Sequence, residues 1–292
     1  MNIKQIIKEK RPSLSDSSLN TYSSTLNNLY KKVFKDKPSI DATKFDDVDA
    51  ILEYIKDIPA NKRKSILSAL VVITNNSQYR KMMLGDINDY KAIIDKQEKT
   101  ASQKENWVTQ EEIHLIYLDL KRIGEPLMKK KTHTASELQQ IQKYIIIACL
   151  GGVFIPVRRL KDYCDFKLYN LDIKLNYLEG DEFVFNSYKT AKTYSTQRVH
   201  IGKELRKIIE RWRSISDNDW LLFDINGAKL TNVKLNQRLQ NILGKKASVN
   251  MLRKSYLTSK YADNMKVQKE MADTMKDMGS SMNVATTYVK LD

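Results

Sequence analysis

The scarcity of glycine and proline is the strongest constraint on what this chain can fold into. The 292 residues contain only 9 Gly and 5 Pro, so few positions break a helix or supply a tight turn. Between these breaks the apolar residues recur at every third or fourth position, as with Leu19, Tyr22 and Leu26 in residues 17–34. This spacing places apolar side chains on one face of a helix. The sequence therefore predicts a mainly α-helical protein.

The first hundred residues predict a small helical domain. Helical spacing covers residues 17–34, 48–56, 60–74 and 78–95. The stretch 95–106 that follows is polar and has no hydrophobic period. We predict a helical domain at residues 1–100, a linker at 101–106 and a second domain at 107–292.

The second domain is predicted to combine helices with a few strands. Thr109 and Glu112 form a capping-box pattern that opens a helix. Residues 167–173, 182–188 and 196–201 are instead rich in Phe, Val, Tyr and Ile, with a turn at residues 179–181. We expect them to form a small three-stranded antiparallel β-ribbon, and we expect helices again at residues 231–243, 249–262 and 267–278. The predicted fold class is mainly α with a small antiparallel β-ribbon.

The charge balance favours a polyanionic partner. Lys and Arg number 50 and Asp and Glu 35, for a formal net charge of +15. Cations of this number can replace the counterions that surround nucleic-acid phosphates. The two cysteines form no CxxC pair, and the longest apolar run, residues 144–157, is too short to span a bilayer. We therefore expect an intracellular protein with a polyanionic partner, of which nucleic acid is one candidate, and no membrane association.

Motifs for several other chemistries are missing from the sequence. It contains no GxxxxGK[ST], GxGxxG, HExxH or GxSxG pattern. Its three histidines, His114, His133 and His200, do not have the spacing of metal ligands. The sequence therefore predicts neither a metal site nor a cofactor.

Four segments instead place cations and a tyrosine in a characteristic order. Arg159 is followed three positions later by Asp162, Lys189 opens a KTAK sequence, Arg253 closes an NMLR sequence, and Tyr288 closes a TTY sequence after Met278-Gly279-Ser280. The full segments read PVRRLKDY (156–163), NSYKTAKTYSTQRVHI (186–201), NMLRKSYLTSKY (250–261) and MGSSMNVATTYVK (278–290). In this order they resemble the boxes of the tyrosine recombinase (phage integrase-like) family, and residues 1–100 resemble its helical, SAM-like core-binding domain.

The resemblance implies a reaction and a role for each residue. Arg159 and Arg253 would neutralise the nonbridging oxygens of a DNA phosphodiester, because guanidinium forks match such oxygens bidentately. Tyr288 would be the nucleophile that forms a 3′-phosphotyrosyl intermediate. Lys189 would protonate the leaving 5′-oxygen. The implied protein is a site-specific DNA recombinase or integrase, of the kind carried by viruses and mobile elements, with a mixed α+β catalytic domain and no need of metal or nucleotide.

Other residues are expected to support this site or to hold the DNA. Asp162 would orient the first arginine, and its spacing favours Arg159 over Arg158 as the catalytic one. Contacts with DNA are expected from Arg158, Lys192, Arg63 and Lys64, and from the run of lysines at 129–131. The implied partners are duplex DNA and further copies of the chain, as a tetramer on paired sites.

Two positions depart from the family pattern. Asn250 and Ser280 stand where the family usually has a histidine and a histidine or tryptophan, and neither can accept a proton near neutral pH as imidazole does. His200 is a possible substitute for the missing imidazole. Two alternatives therefore stay open: a catalytically degenerate DNA-binding protein of the same fold, and a DNA relaxase similar to type IB topoisomerases.

Overall fold

Two units of the chain each bury an apolar core of their own. The structure, a computed structural model, describes residues 2–35 and 40–290. The chain divides into Met1–Lys99 and Thr100–Asp292. Each unit is described by itself below.

The first unit is helical, as predicted. Its helices are α1 (Ile3–Lys10), α2 (Asp16–Val33), α3 (Val48–Ile55), α4 (Ala60–Thr74) and α5 (Ser77–Asp95). The Ser15 hydroxyl accepts a hydrogen bond from the Ser18 N–H and caps α2, as the run of serines indicates. Helix α1, which the sequence analysis did not predict, buries three isoleucines in the core. That core closes around Tyr30, Phe45 and Tyr79.

The second unit contains the helices predicted from residue 109 and over 231–243, one helix where two were predicted at 249–262 and 267–278, and short helices that were not predicted. Its helices are α6 (Ala101–Glu105), α7 (Gln110–Met128), α8 (Ala135–Leu150), α9 (Leu160–Cys164), α10 (Ala191–Tyr194), α11 (Lys203–Ile215), α12 (Asn232–Leu243), α13 (Val249–Asp277) and α14 (Ala285–Tyr288). Thr109 and Glu112 form the predicted capping box. Helix α6 lies within the predicted linker, because Thr100 and Gln103 form a further capping box there.

The sheet has four strands instead of the predicted three. They are β1 (Phe166–Lys167), β2 (Asn176–Glu179), β3 (Glu182–Phe185) and β4 (Gln197–His200), in the order β1-β2-β3-β4. Strands β2, β3 and β4 form the antiparallel part, whereas β1 pairs parallel with β2. The prediction of a strand over 167–173 was wrong beyond Lys167, because Asn170 adopts a φ of 46° and ends the extended chain.

Helix α13 is continuous where the sequence predicts two helices. Only Val249, Leu252, Ser255 and Met275 of its 29 residues are buried. Leu257, Tyr261 and Val267 are exposed by 42% or more of their surface, although they are large apolar side chains. Within the described ranges, no helix has the length and apolar character that a membrane crossing requires.

We predict that residues 257–274 of α13 exchange their amide hydrogens at least about tenfold faster than residues 141–150 of α8. Helix stability in proteins comes chiefly from tertiary packing, and this part of α13 lacks it. Hydrogen exchange measured by mass spectrometry or NMR on the full chain checks the prediction. Equal protection in the two helices would show that α13 is packed along its length.

Candidate functional site

Three of the predicted site residues, Arg158, Arg159 and Arg253, meet in one cleft of the second unit. The cleft has a volume of about 230 Å³. We call it the arginine cleft. Its lining consists of Pro156, Val157, Arg158, Arg159, Asp162, Tyr188, Thr190, Tyr194, Gln197 and Arg253.

A glycine brings distant parts of the chain together at this cleft. Helix α8 ends at Gly151, and Gly152 then adopts a φ of +83°. A Cβ atom on Gly152 would lie 2.7 Å from Cδ2 of Tyr256, in α13. Glycine alone tolerates both this backbone conformation and this close approach. The turn after α8 can therefore pack against α13 one helical turn from Arg253.

Arg158 is held by its neighbours. Its Nε donates to Asp162 Oδ2 at 2.9 Å, and its Nη1 donates to Gln197 Oε1 at 2.9 Å. Its guanidinium carbon lies 3.9 Å from the centroid of the Phe185 ring. Asp162 is buried, and burial raises the pKa of its carboxyl group, while the charge of Arg158 acts to lower it. Asp162 thus pairs with Arg158, whereas its spacing in the sequence indicated that it would orient Arg159.

Arg159 and Arg253 remain available for an anion. Within residues 2–35 and 40–290 neither side chain makes a hydrogen bond or an ion pair. Burial lowers the pKa of Arg253, and the positive charge of Arg159 lowers it further. Like charges that are close and partly desolvated raise the free energy of the empty site. An oxyanion between the two guanidinium groups would lower it.

Asn176 joins the segment after β3 to α9, the short helix that follows Arg158 and Arg159. Its fully buried amide donates to the carbonyls of Asp162 (2.7 Å) and Ser187 (2.9 Å). Its Oδ1 accepts from the N–H groups of Asn186 (2.8 Å) and Ser187 (2.7 Å). One side chain therefore fixes residues 186–187 against α9.

The predicted lysines lie on the segment that continues from this anchor. Lys189 is exposed in the turn before α10, and Lys192 is exposed on α10. Neither lines the arginine cleft, but Tyr188, Thr190 and Tyr194 of the same segment do. The segment thus passes along the cleft and carries both lysines at its edge.

Sequence reasoning missed Tyr194 and Gln197. Gln197 holds Arg158, and Tyr194 lines the arginine cleft with 62% of its surface exposed. Tyr194 lies in the predicted KTAKTY stretch, two residues after Lys192. Tyr194 could have been predicted as a site residue from its place in that stretch. The contact of Gln197 with Arg158, in contrast, depends on how the strands pair.

Tyr288, Ser280 and Asn250 do not line the arginine cleft. Tyr288 ends α14 and is 61% exposed. Arg253 lies near the start of α13, and about 36 Å of helix separates it from Asp277, after which the chain leads to Tyr288. The Ser280 N–H donates to the Met275 carbonyl and so helps to end α13. Asn250 is exposed in the first turn of that helix.

The remaining candidate residues have local partners. Arg63 donates to Asp86, with Nη2 and Oδ1 2.6 Å apart, and Asp86 is buried. The Lys64 ammonium lies 3.8 Å from the centroid of the Tyr90 ring. His200 lies 3.2 Å from the carboxylate of Asp181 and does not line the arginine cleft. In the described part of the chain, no three His, Cys, Asp or Glu side chains are grouped to hold a metal ion.

Among the comparisons of this chain with known proteins, only the comparison with solved structures finds similar proteins. No family model and no curated protein matches the chain. It is similar to the XerA recombinase, with 12% identity over 88% of this chain and 82% of that one and a TM-score of 0.34. It is also similar to the XerH site-specific recombinase bound to its difH substrate in a pre-cleavage complex, with 16% identity over 99% of this chain and 91% of that one and a TM-score of 0.36.

We predict that Asn176→Ala lowers the free energy of unfolding by about 2–4 kcal/mol. The substitution leaves two buried carbonyls and two N–H groups without their partner. Urea unfolding followed by circular dichroism measures the loss. Asn241→Ala, at an exposed position of α12, is the matched control and should change stability by less than about 0.5 kcal/mol. Similar values for the two variants would contradict the anchoring role of Asn176.

Proposed function

We propose that this chain is a DNA strand-exchange enzyme that cuts and rejoins DNA through a 3′-phosphotyrosyl intermediate, as a tyrosine-type site-specific recombinase. One observation carries the proposal: the fold brings Arg159 and Arg253 together in one cleft, and neither guanidinium group has a partner among the residues that the structure describes. The order of the sequence segments supports it as well. The proposed partners are duplex DNA and further copies of the chain, as a tetramer on paired sites.

Two free arginines suit the transition state of phosphodiester cleavage. Negative charge builds up on the nonbridging oxygens as the pentacovalent phosphorus forms, and preorganised cations stabilise that charge. Each guanidinium can donate two parallel hydrogen bonds to phosphate oxygens. Arg158 holds the neighbouring backbone through Asp162 and Gln197, so Arg159 starts α9 at a defined position.

The proposed reaction exchanges one ester for another. The Tyr288 oxygen attacks the phosphorus, the bond from phosphorus to the 5′-oxygen breaks, and the phenol proton passes to solvent. Lys189 donates a proton to the leaving 5′-oxygen, with Lys192 as the alternative donor. One P–O bond forms as another breaks, so the free 5′-hydroxyl of a second strand can reverse the step. Asn250 and Ser280 would contribute hydrogen bonds to the phosphate without accepting a proton.

The proposal requires Tyr288 to reach the arginine cleft from its position beyond α13. The exposed middle of that helix, which has few tertiary contacts to lose, is where a bend would cost least. The second candidate function is that of a DNA-binding protein that does not cleave DNA. The position of Tyr288 outside the arginine cleft favours it. Asn250 and Ser280, in place of the usual histidines, favour it too.

We predict that the full chain forms a covalent adduct with DNA and that Tyr288→Phe abolishes it. The phenylalanine retains the ring and removes the attacking oxygen. The substrate is a pool of nicked duplexes with randomised sequence, from which the cut piece diffuses away and traps the intermediate. The readout is DNA that stays on the protein in a denaturing gel.

Two further tyrosine variants make this test decisive. Tyr261→Phe, at an exposed position of α13, is the matched control and should form the adduct at the wild-type rate. Tyr194→Phe tests the phenol that lies at the arginine cleft. Should Tyr194→Phe abolish the adduct while Tyr288→Phe preserves it, the nucleophile is Tyr194. No adduct from the wild-type chain, together with tight salt-dependent binding of duplex DNA, would leave the non-cleaving candidate.

We also predict that Arg159→Ala and Arg253→Ala each slow adduct formation by about 10²–10³-fold. Each removes a donor from the charge that develops at phosphorus. The rate is measured at saturating DNA, so that weaker binding does not enter it. Arg122→Ala, an exposed arginine of α7, is the control and should leave the rate unchanged. An equal loss in all three variants would show that the arginines act through net charge alone.

A further inference from the structure

The second unit contains another, larger cleft, apart from the arginine cleft. It lies between the end of α7, the loop that follows, α8 and α11, and its volume is about 740 Å³. We call it the lysine cleft. Its lining consists of Glu125, Met128, Lys129, Lys130, Lys131, His133, Tyr144, Lys207, Ile208, Glu210, Arg211, Ser214 and Ile215. None of these residues lines the arginine cleft.

Each of the two carboxylates that line the lysine cleft faces a cation outside it. Glu210 accepts from Nε of Arg206 at 2.7 Å, and Glu125 lies 3.8 Å from the ammonium of Lys121. Each of these pairs joins residues four positions apart in one helix. The negative charge of the two acids is therefore shared with these outside cations and does not balance the cations of the lining.

Most cations of the cleft have no such partner. Lys130 pairs with Glu137, and Nε of Arg211 lies 3.4 Å from the Met128 carbonyl. The ammonium groups of Lys129, Lys131 and Lys207 make no hydrogen bond or ion pair with any residue that the structure describes. Cations from the loop and from α11 thus surround one concave space and repel each other. A ligand with several negative charges would relieve that repulsion.

The cleft also has an apolar floor. Met128, Tyr144 and Ile208 line it and are buried. Nε2 of His133 lies 2.9 Å from the Leu127 carbonyl and holds the loop beside α7. Concave sites of about 300–1,000 Å³ that combine apolar walls with a few charged groups are typical of small organic ligands. A DNA duplex, which is wide and stiff, does not enter a space of this size.

We propose that the lysine cleft binds a small organic polyphosphate. The phosphate groups lie among Lys129, Lys131, Lys207 and Arg211, since ammonium groups on flexible stems act as point charges for phosphate. The organic part lies over the apolar floor, against Ile208 and the partly buried Ile215. The site is independent of the proposed strand-exchange reaction, which uses none of these residues.

Isothermal titration of the full chain with adenosine triphosphate tests the proposal. At constant ionic strength and without divalent metal, we expect saturable binding at one site. Lys131→Glu and Lys207→Glu each replace an attractive charge by a repulsive one, and each should weaken binding at least about tenfold. Lys203→Glu makes the same change of charge on α11 outside the cleft, and its affinity should stay within about twofold of wild type. All these positions are exposed, and circular dichroism confirms that each variant folds.

Inorganic triphosphate and a random DNA duplex are the comparison ligands. Weaker binding of inorganic triphosphate than of adenosine triphosphate supports a role for the apolar floor. The proposal is overturned if wild type does not bind adenosine triphosphate, if Lys203→Glu weakens binding as much as Lys207→Glu, or if the two cleft variants weaken duplex binding while adenosine triphosphate binding is unchanged. In the last case the lysines form part of a DNA surface.

Discussion

The ion pair between Arg158 and Asp162 is the interaction on which the arginine cleft depends. It is nearly buried, with 16% of the arginine side chain and 2% of the aspartate side chain exposed. Burial of the two charges costs free energy that their attraction alone need not recover. Here additional contacts complete the arrangement, since Gln197 accepts from Nη1 and the Phe185 ring packs on the guanidinium. The pair thereby connects the start of α9 to β3 and β4, and it fixes the backbone position of the adjacent Arg159.

The same unit contains two groups of cations with different surroundings. In the arginine cleft, Asp162 pairs with Arg158, whereas Arg159 and Arg253 have no ion-pair partner in residues 2–35 and 40–290. Burial, together with the positive charge of Arg159, lowers the pKa of Arg253. In the lysine cleft, the two acids pair with cations outside it, and Lys129, Lys131 and Lys207 have no partner among the residues that the structure describes. Both arrangements place like charges close together, and their repulsion raises the free energy of the folded protein. Such arrangements are typical of sites that bind anions.

Helix α13 connects the chemistry of the arginine cleft with the C-terminal segment. Its first two turns are anchored by Val249, Leu252 and Ser255, and none of the following residues is buried until Met275. The same helix that presents Arg253 to the cleft therefore leads the chain away to Tyr288. In the proposed enzyme, Tyr288 would therefore approach the arginine cleft in a separate conformational step. In the non-cleaving alternative, the segment after α13 needs no such movement.

Much of the architecture follows from local sequence patterns. Apolar spacing predicts α2, α3, α4, α5 and α12, and the Thr109 capping box predicts the start of α7, because these signals act between residues a few positions apart. Local signals also predict the turn at Gly180, which joins β3 to the unpredicted strand β2. The predictions of a strand over 167–173 and of two helices in place of α13 were wrong for the same reason. Side-chain composition does not reveal that Asn170 adopts a left-handed conformation, or that α13 continues through a stretch with little tertiary packing.

The sequence by itself determined the helical class, the excess of positive charge and the order of Arg159, Lys189, Arg253 and Tyr288 along the chain. Only the tertiary structure decided which of these residues meet. It paired Asp162 with Arg158 and left Arg159 free, because Gln197 and Phe185 approach Arg158 from strands distant in sequence. It added Tyr194 to the cleft and placed Tyr288 outside it. Charges and periodicity are properties of neighbouring residues, whereas a binding site depends on contacts between segments that the chain brings together only when it folds.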